Sequence, residues 1–440
     1  MPIQSMAQGF RLLAETSQPV HPVSLLATAH SARRTLKNLR PLPSQMLFIW
    51  QTYVENVDSF IKVLHVPTVS KLVHECHGNV DLLPSFMDPL MFSISFAAIK
   101  SLTSEEVQIH FQLDKKDLVS RFRIGAEESL SQADFINTKE LSVVYAFLIY
   151  VFLIRLEESQ RYVWSLAGLI LRVAVALGLH RDDSYFPTIT PFEAEMRRRV
   201  WCLICIFDFA TGDCQKPELS IPDAIFDTRL SLNIGDDNIG PNISVLPEAK
   251  SGYTDMTMCL LRCKICRVGK HIKNVTSSMY PCRHEPDWDT LQKLVQLSEF
   301  KEQAFAEFLM HKRPDKPIYL FTRIMAVFSV KRYELILDHI RQPSLRPEKS
   351  SLATDNAFLL ALGALEDIYT LQHGLSTRRW AWQFYGFIQW QPLAVVLGRL
   401  SVVEFDTIAE HAWDVSMRTL SILPEAVREK PLWQPLCKLI

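Results

Sequence analysis

The sequence predicts an all-α protein, a large array of antiparallel helix hairpins. Three observations lead there. Glycine is scarce, 14 of 440 residues, about half the usual ~7%. Apolar residues recur at three- and four-residue spacing along most of the chain. The segment ends are marked by Pro, Thr, Asn and single glycines rather than by the closely spaced turns of a β protein.

The elements follow in chain order. Residues 1–43 are rich in Ser, Gln, Thr and Pro and predict a loosely ordered leader ahead of one helical domain at 44–440. Arg11, Arg33, Arg34, Lys37 and Arg40 against Glu15 leave a mitochondrial presequence open as a second reading, while the apolar core of a secretory signal is lacking. Over 44–64, Met46, Phe48, Ile49, Tyr53, Val57, Phe60, Ile61 and Leu64 predict a helix. His65-Val66-Pro67-Thr68 should stop it, because the residue before proline resists the α region. Residues 88–102 form the next apolar helix, with Pro89 in its first turn.

Asn137-Thr138-Lys139-Glu140 has the capping-box pattern and opens a helix ending near Arg155. Its apolar run at 143–154 is shorter than the ~20 residues a membrane span needs, so it reads as a buried core helix. Residues 159–177 form its hairpin partner. Gly178 takes the left-handed stop position there and Leu179 packs back. Helix 191–210 follows, with Thr190 as cap, Pro191 at the first position and Glu193 three residues after the cap. Met196, Val200, Leu203, Phe207 and Ala210 line one face of it. After a Pro-, Asp- and Asn-rich excursion at 212–252, helices are predicted at 254–273, 287–310, 319–338, 354–373, 380–400 and 404–422.

Charge narrows the function. With 47 basic and 48 acidic residues the net charge is −1, whereas a nucleic-acid module is usually strongly basic with a stripe of Lys and Arg. Most of this chain should therefore not touch DNA. Its apolar content of 48% is too high for a disordered acidic activator. The nine cysteines are Cys76, Cys202, Cys205, Cys214, Cys259, Cys263, Cys266, Cys282 and Cys437. An odd, scattered set in apolar segments predicts reduced, buried thiols. Two glycosylation triplets, at Asn242 and Asn274, have no secretory route to make them meaningful.

Several motifs invite sharper readings. Arg197-Arg198-Arg199 suggests a phosphate clamp, but three successive helical residues fan over ~200° and cannot form one patch. Glu193 and Glu195 each precede an arginine by four, the favourable order. The arginines should pair there and with Asp182 or Asp183. His180-Arg181-Asp182 resembles a kinase catalytic triplet, yet Pro187 stands where that motif needs Asn. Cys202-x-x-Cys205 and Cys263-x-x-Cys266 follow core-packing spacing, although Cys263, Cys266, Cys282 and His284 would have the ligand count of a zinc site. The sequence carries no GxSxG, P-loop, dinucleotide-binding or HExxH pattern.

The order of motifs resembles the fungal-specific transcription factor domain, the middle homology region of zinc-cluster transcription factors. Residues 53–68 (YVENVDSFIKVLHVPT) look like its opening helix and residues 92–102 like its Phe-Ala-Ala helix. Residues 177–182 match the LGLHRD corner through Gly178, His180, Arg181 and Asp182. The next helix matches through Pro191, Glu193, Glu195, Arg197, Arg198, Arg199 and Trp201, with Asp208 at the later Asp. Asn233, Asp236 and Asp237 resemble the acidic loop, and 382–397 the Trp-rich C-terminal helix. Gln215-Lys216-Pro217 replaces the common Gly-Arg-Pro, and no cysteine precedes Cys76 to build the six-cysteine DNA-binding cluster.

The resemblance implies a nuclear, pathway-specific regulator of transcription, of the kind that includes regulators of secondary-metabolite gene clusters. It implies no enzyme activity and no cofactor in this chain, with zinc only in an N-terminal cluster beyond it. The implied partners are other transcription proteins or a small-molecule effector, with DNA contacted indirectly and no membrane. A helical scaffold without regulatory role, and an enzyme with catalytic groups drawn from distant positions, are the alternatives.

Overall fold

The computed structural model describes residues 36–155, 157–212, 221, 225–278, 288–309, 316–341, 352, 355–384, 389–403, 406–423 and 433–439. Among these residues every regular element is a helix and none is a strand. The described residues up to Cys266 form one compact unit, and those from Arg267 onward belong to another. Residues 1–35 of the expected leader, Cys214, the Gln215-Lys216-Pro217 turn, Cys282 and His284 lie outside the described residues.

In the first unit, α1 (Pro43–Asn56) starts on Pro43, and Leu42 N–H donates to the Gln45 side chain. It ends eight residues earlier than predicted. Asp58–Phe60 is a single 3-10 turn, and residues 61–65 run irregularly with Ile61, Val63 and Leu64 buried. His65-Val66-Pro67-Thr68 begins a helix instead of ending one: α2 is Val66–Glu75 with proline in its first turn, where the lost N–H costs nothing. Helical apolar spacing over 57–64 reflected burial on all sides, not helical winding.

The centre of this unit is α3 (Asp88–Ser101), buried at every position except Lys100. It packs against α1, α5 (Lys115–Gln132) and α6 (Leu141–Ile154). A Cβ at Gly125 would sit 2.4 Å from the Phe92 ring, so the α5–α3 approach requires glycine there. The short α4 (Ser104–Phe111) carries a complete Thr103/Glu106 capping box. The box predicted at Asn137 does not form. Asn137 is spent on Asp134, Thr138 accepts from Glu140 N–H, and Glu140 itself occupies the cap position. The local turn captures the polar groups before the helix can use them.

The α6 helix pairs with α7 (Gln160–Ala176), which Ser159 caps. At its end Gly178 has φ +70°, and Leu179 N–H reaches back to the Ala174 carbonyl at 2.9 Å, the expected left-handed stop. Next comes α8 (Pro191–Gly212), packed on α7 and started by Thr190, whose hydroxyl accepts from Glu193 N–H at 3.1 Å. Met196, Val200, Leu203 and Phe207 are buried as predicted, but Ala210 is exposed. The first unit ends within α9 (Thr257–Ser278).

The second unit contains α10 (Trp288–Ala304), which continues into a π turn at Phe305–Leu309, and α11 (Pro317–Arg341). It goes on through α12 (Asn356–His373), α13 (Trp390–Leu400), α14 (Thr407–Ser421) and α15 (Trp433–Cys437). Consecutive helices from α11 to α14 pack on each other around Leu335, Phe358, Leu365, Leu393, Leu397 and Ala412. The helix predicted over 380–400 is divided: Arg378–Phe384 is a 3-10 segment and α13 begins only at Trp390. Among the described residues no helix is long and apolar enough to cross a membrane.

Candidate functional site

Several motif residues of the first unit enter ion pairs, of which those of Arg198 and Arg199 are buried. Their scaffold is the corner after α7, the first turns of α8, and a strap of irregular chain at 225–239. Because Arg197, Arg198 and Arg199 fan around α8, each meets a different piece of the chain. Arg197 donates to the Leu177 carbonyl at 2.8 Å, lies 3.6 Å from Glu193, and stacks over the Phe186 ring. A cation there satisfies an orphan carbonyl at the end of α7. Arg198 is buried and grips Asp182 at 2.9 Å and Asp183 at 3.0 Å. Arg199 is fully buried, 2.7 Å from Asp236 of the strap and 3.5 Å from Glu195 one turn back.

The strap closes over the corner by its own polar groups. Asp227 accepts from Asp182 N–H at 2.9 Å and from Arg181 at 3.1 Å, while its own N–H donates to the His180 carbonyl. Thr228 donates to the Leu179 carbonyl, and Arg229 binds both Asp182 and Asp183. Burial raises the Asp182 carboxyl, but hydrogen bonds from Arg198 and Arg229 outweigh it and hold the acid below its ordinary range. Trp201 is buried with its ring near His180 and Phe226. Asp208, further along α8, accepts from Ile221 N–H at 3.1 Å.

Deeper still, the strap meets the irregular segment after α1. Lys62 is buried between Asp58 and Asp236, with its ammonium 2.7 Å from the latter. Asp236 also accepts Val66 N–H at 2.9 Å, and its carbonyl lies 3.0 Å from His65 Nε2. Leu232 N–H donates to both oxygens of Glu195. Asn233 ties the strap to the start of α9 through Thr254 and Thr257. Asp237, its neighbour in the acidic motif, is exposed.

Two cations, Lys62 and Arg199, face three carboxylates, Asp58, Glu195 and Asp236, so full ionisation would leave a buried negative excess. The shifts run in the direction that lessens it. Burial pushes Asp58 up to about 6 against the pull of Lys62, and pushes Glu195 up to about 7 against the pull of Arg199. Burial also acts on Asp236, but Lys62 and Arg199 override it and hold that acid well below the usual carboxylate range. The arrangement is a charge lock joining three distant stretches of sequence. It presents no nucleophile with an adjacent base. Among the described residues no group of three or more His, Cys, Asp or Glu side chains is placed to hold a metal ion.

Sequence reasoning placed Gly178, His180, Arg181, Asp182, Pro191, Glu193, Glu195, Arg197, Arg198, Arg199, Trp201 and Asp208 together, and all lie on the corner or on α8. It missed Lys62, Asp58, Asp227 and Arg229. The four-residue Asp58–Lys62 spacing was a visible signal; nothing local marked Arg229.

The expectation of reduced, buried thiols is overturned: Cys437 is exposed and Cys76 and Cys205 are only half-buried. Cys202 of α8 and Cys263 of α9 are not separate thiols but are joined as a disulfide, their Cα atoms 6.2 Å apart. Sequence spacing correctly put both on buried stripes, but it could not say that the two stripes face each other within bridging range.

The sequence pattern described as the fungal specific transcription factor domain matches residues 50–303, which include the corner, α8, the strap and the Lys62 segment. Similar proteins include the aurofusarin cluster transcription factor aurR2 of Gibberella zeae, 27% identical over 92% of this chain and 60% of that protein. The C6 finger domain transcription factor nscR of Arthroderma gypseum is 29% identical over 82% of this chain and 51% of its own. The pyriculol/pyriculariol biosynthesis cluster transcription factor 1 of Pyricularia oryzae is 23% identical over 89% and 53%. This chain thus spans between half and three-fifths of the length of these relatives. With its match covering more than half of the sequence, the chain belongs to the family of the fungal-specific transcription factor domain.

Proposed function

We propose that the chain is the control region of a pathway-specific transcription regulator of the zinc-cluster class, acting in the nucleus on a secondary-metabolite gene cluster. The observation that carries this is the family match over residues 50–303, together with relatives named as regulators of the aurofusarin and pyriculol clusters. Neutral charge and a helical interior without a basic stripe suit a segment that answers to partner proteins or a small effector. Base reading then belongs to a zinc cluster outside these 440 residues or to a partner. In this reading the motif residues serve structure, not catalysis: they hold the corner, α8 and the strap as one piece.

The test is transcript profiling after deletion and after overexpression of the gene in its own fungus. A coordinated, opposite change confined to a contiguous set of biosynthetic genes is expected. Unchanged cluster transcripts in both strains would overturn the reading.

A further inference from the structure

The α7 helix is apolar on both sides. Val163, Leu166, Ile170 and Val173 are buried where it packs on α6 and α8. The opposite face carries Trp164 and Val175, 41% and 37% exposed, with half-buried Gly168 and Leu171 between them. These four positions follow 4, 3, 4 spacing and stack into one stripe. A contiguous apolar stripe facing solvent marks a surface that meets another chain.

Two details identify the occupant. A glycine inside a helix weakens it relative to alanine, yet nothing in this chain needs the space at Gly168. A Cβ there would meet only Arg172 Nη1, at 3.8 Å. The second detail is charge. The helix carries Arg161 and Arg172 and no acid, and Arg172 lies exposed over Gly168. Among the described residues, neither the Trp164 nor the Arg172 side chain enters a hydrogen bond, an ion pair or a ring contact. Trp164 stands four residues before Gly168 and Arg172 four after it, so the face is complementary to its own reverse.

We propose that this face of α7 is the contact of a two-fold dimer, in which the α7 of a second copy lies antiparallel and crosses it at Gly168. Each Trp164 then faces the second copy's Arg172, and a guanidinium over the face of a tryptophan is the most favourable cation–ring pairing. Glycine at the crossing point lets the two helix axes approach closely. The arrangement closes on itself, so it stops at two copies. A parallel pair would instead set Arg161 against Arg161 and Arg172 against Arg172, with no acid on either helix to separate them. An acidic helix of another protein could answer Arg172, but it would make no use of the matched spacing on either side of Gly168. One helix pair buries less than a standard interface, so the expected dissociation constant is on the order of 10 µM.

The experiment is sedimentation equilibrium of the full chain, in dithiothreitol to prevent cross-linking through cysteine, from about 1 to about 200 µM. The mass should rise from one chain toward two across that range. Trp164→Glu and Gly168→Leu should each weaken the association at least about tenfold. The thermal midpoint of Gly168→Leu at the dilute end should stay at or above that of the wild type, because the position is open and a glycine leaves the helix. That variant decides the matter even if Trp164→Glu fails to fold. Orientation is read by photo-cross-linking from benzoylphenylalanine placed at position 164, which should attach to residues 171–175 of the second copy. A chain that stays monomeric at every concentration, a dimer indifferent to Gly168→Leu, or attachment at residues 161–165 would each overturn the proposal. So would a monomer whose Trp164 emission responds only to an added Glu-rich amphipathic peptide, which would give the surface to a different occupant.

Discussion

Replacing Asp236 by Asn tests the charge lock most directly. The amide keeps the side chain's volume and one acceptor oxygen but removes the charge between Lys62 and Arg199, which are 2% and 0% exposed. The wild-type carboxylate accepts from Lys62 and Arg199 at 2.7 Å each and from Val66 N–H at 2.9 Å. Removing one partner of a buried ion pair costs about 3–5 kcal/mol. Asp58 remains for Lys62 and Glu195 for Arg199, which places the expected loss near the lower end, about 3 kcal/mol. Native-state hydrogen exchange, read on peptides covering residues 58–66 and 191–212, reports this stability locally and separates it from events in the second unit. Both segments should lose protection together. A loss below about 1 kcal/mol, or a loss confined to one segment, would refute the reasoning that Asp236 joins them.

Three further outcomes are expected. Glu195, lifted from 4.5 to about 7 by burial, holds a proton in the folded chain that the unfolded chain releases at lower pH. Its contribution is therefore complete below pH 4.5 and is lost as pH rises through 7, a change of about 3 kcal/mol. Urea midpoints across that window should fall in the wild type and fall less in Glu195→Gln, in which Asp58, raised to about 6, still titrates; an unchanged slope would show that Glu195 is not a titrating group. Gly178→Ala puts a Cβ 2.7 Å from the Phe186 ring at φ +70°, costing about 1–3 kcal/mol, whereas Arg229→Ala at a 64% exposed side chain should cost less than about 1 kcal/mol; denaturation curves showing the reverse ranking would contradict the described corner. The purified chain should not retard duplex DNA at ordinary salt, and a sequence-specific nanomolar shift on a gel would show that it reads bases itself.

What the sequence disclosed followed the physics of local signals. Thr190-Pro191 and Gly178 are short-range devices whose meaning does not depend on the rest of the chain, and both ends they mark are where spacing put them. The α5 helix escaped notice because Gly125, Ala126, Glu127, Glu128 and Ser129 interrupt the buried apolar residues between Phe122 and Leu130. Glu127 is tolerated inside because Arg123 and Tyr150 both donate to it, a partnership that periodicity does not record. Lys62 was hidden for a similar reason: a lysine among apolar residues reads as a surface position until Asp236, 174 residues away, is brought against it. The arginine triplet was legible to one turn of helix, through Glu193 and Glu195, and the identity of its distant acids depended on how the strap lies.

The fan of Arg197, Arg198 and Arg199 gives α8 a fixed azimuth. One side chain reaches the end of α7, one the acids of the corner, and one the strap. Spinning the helix about its axis by a fraction of a turn would unseat all three anchors at once, whereas sliding the whole assembly would unseat none. Rotation of the helix would therefore cost all three pairings together, while a displacement of corner, helix and strap as one piece would keep them.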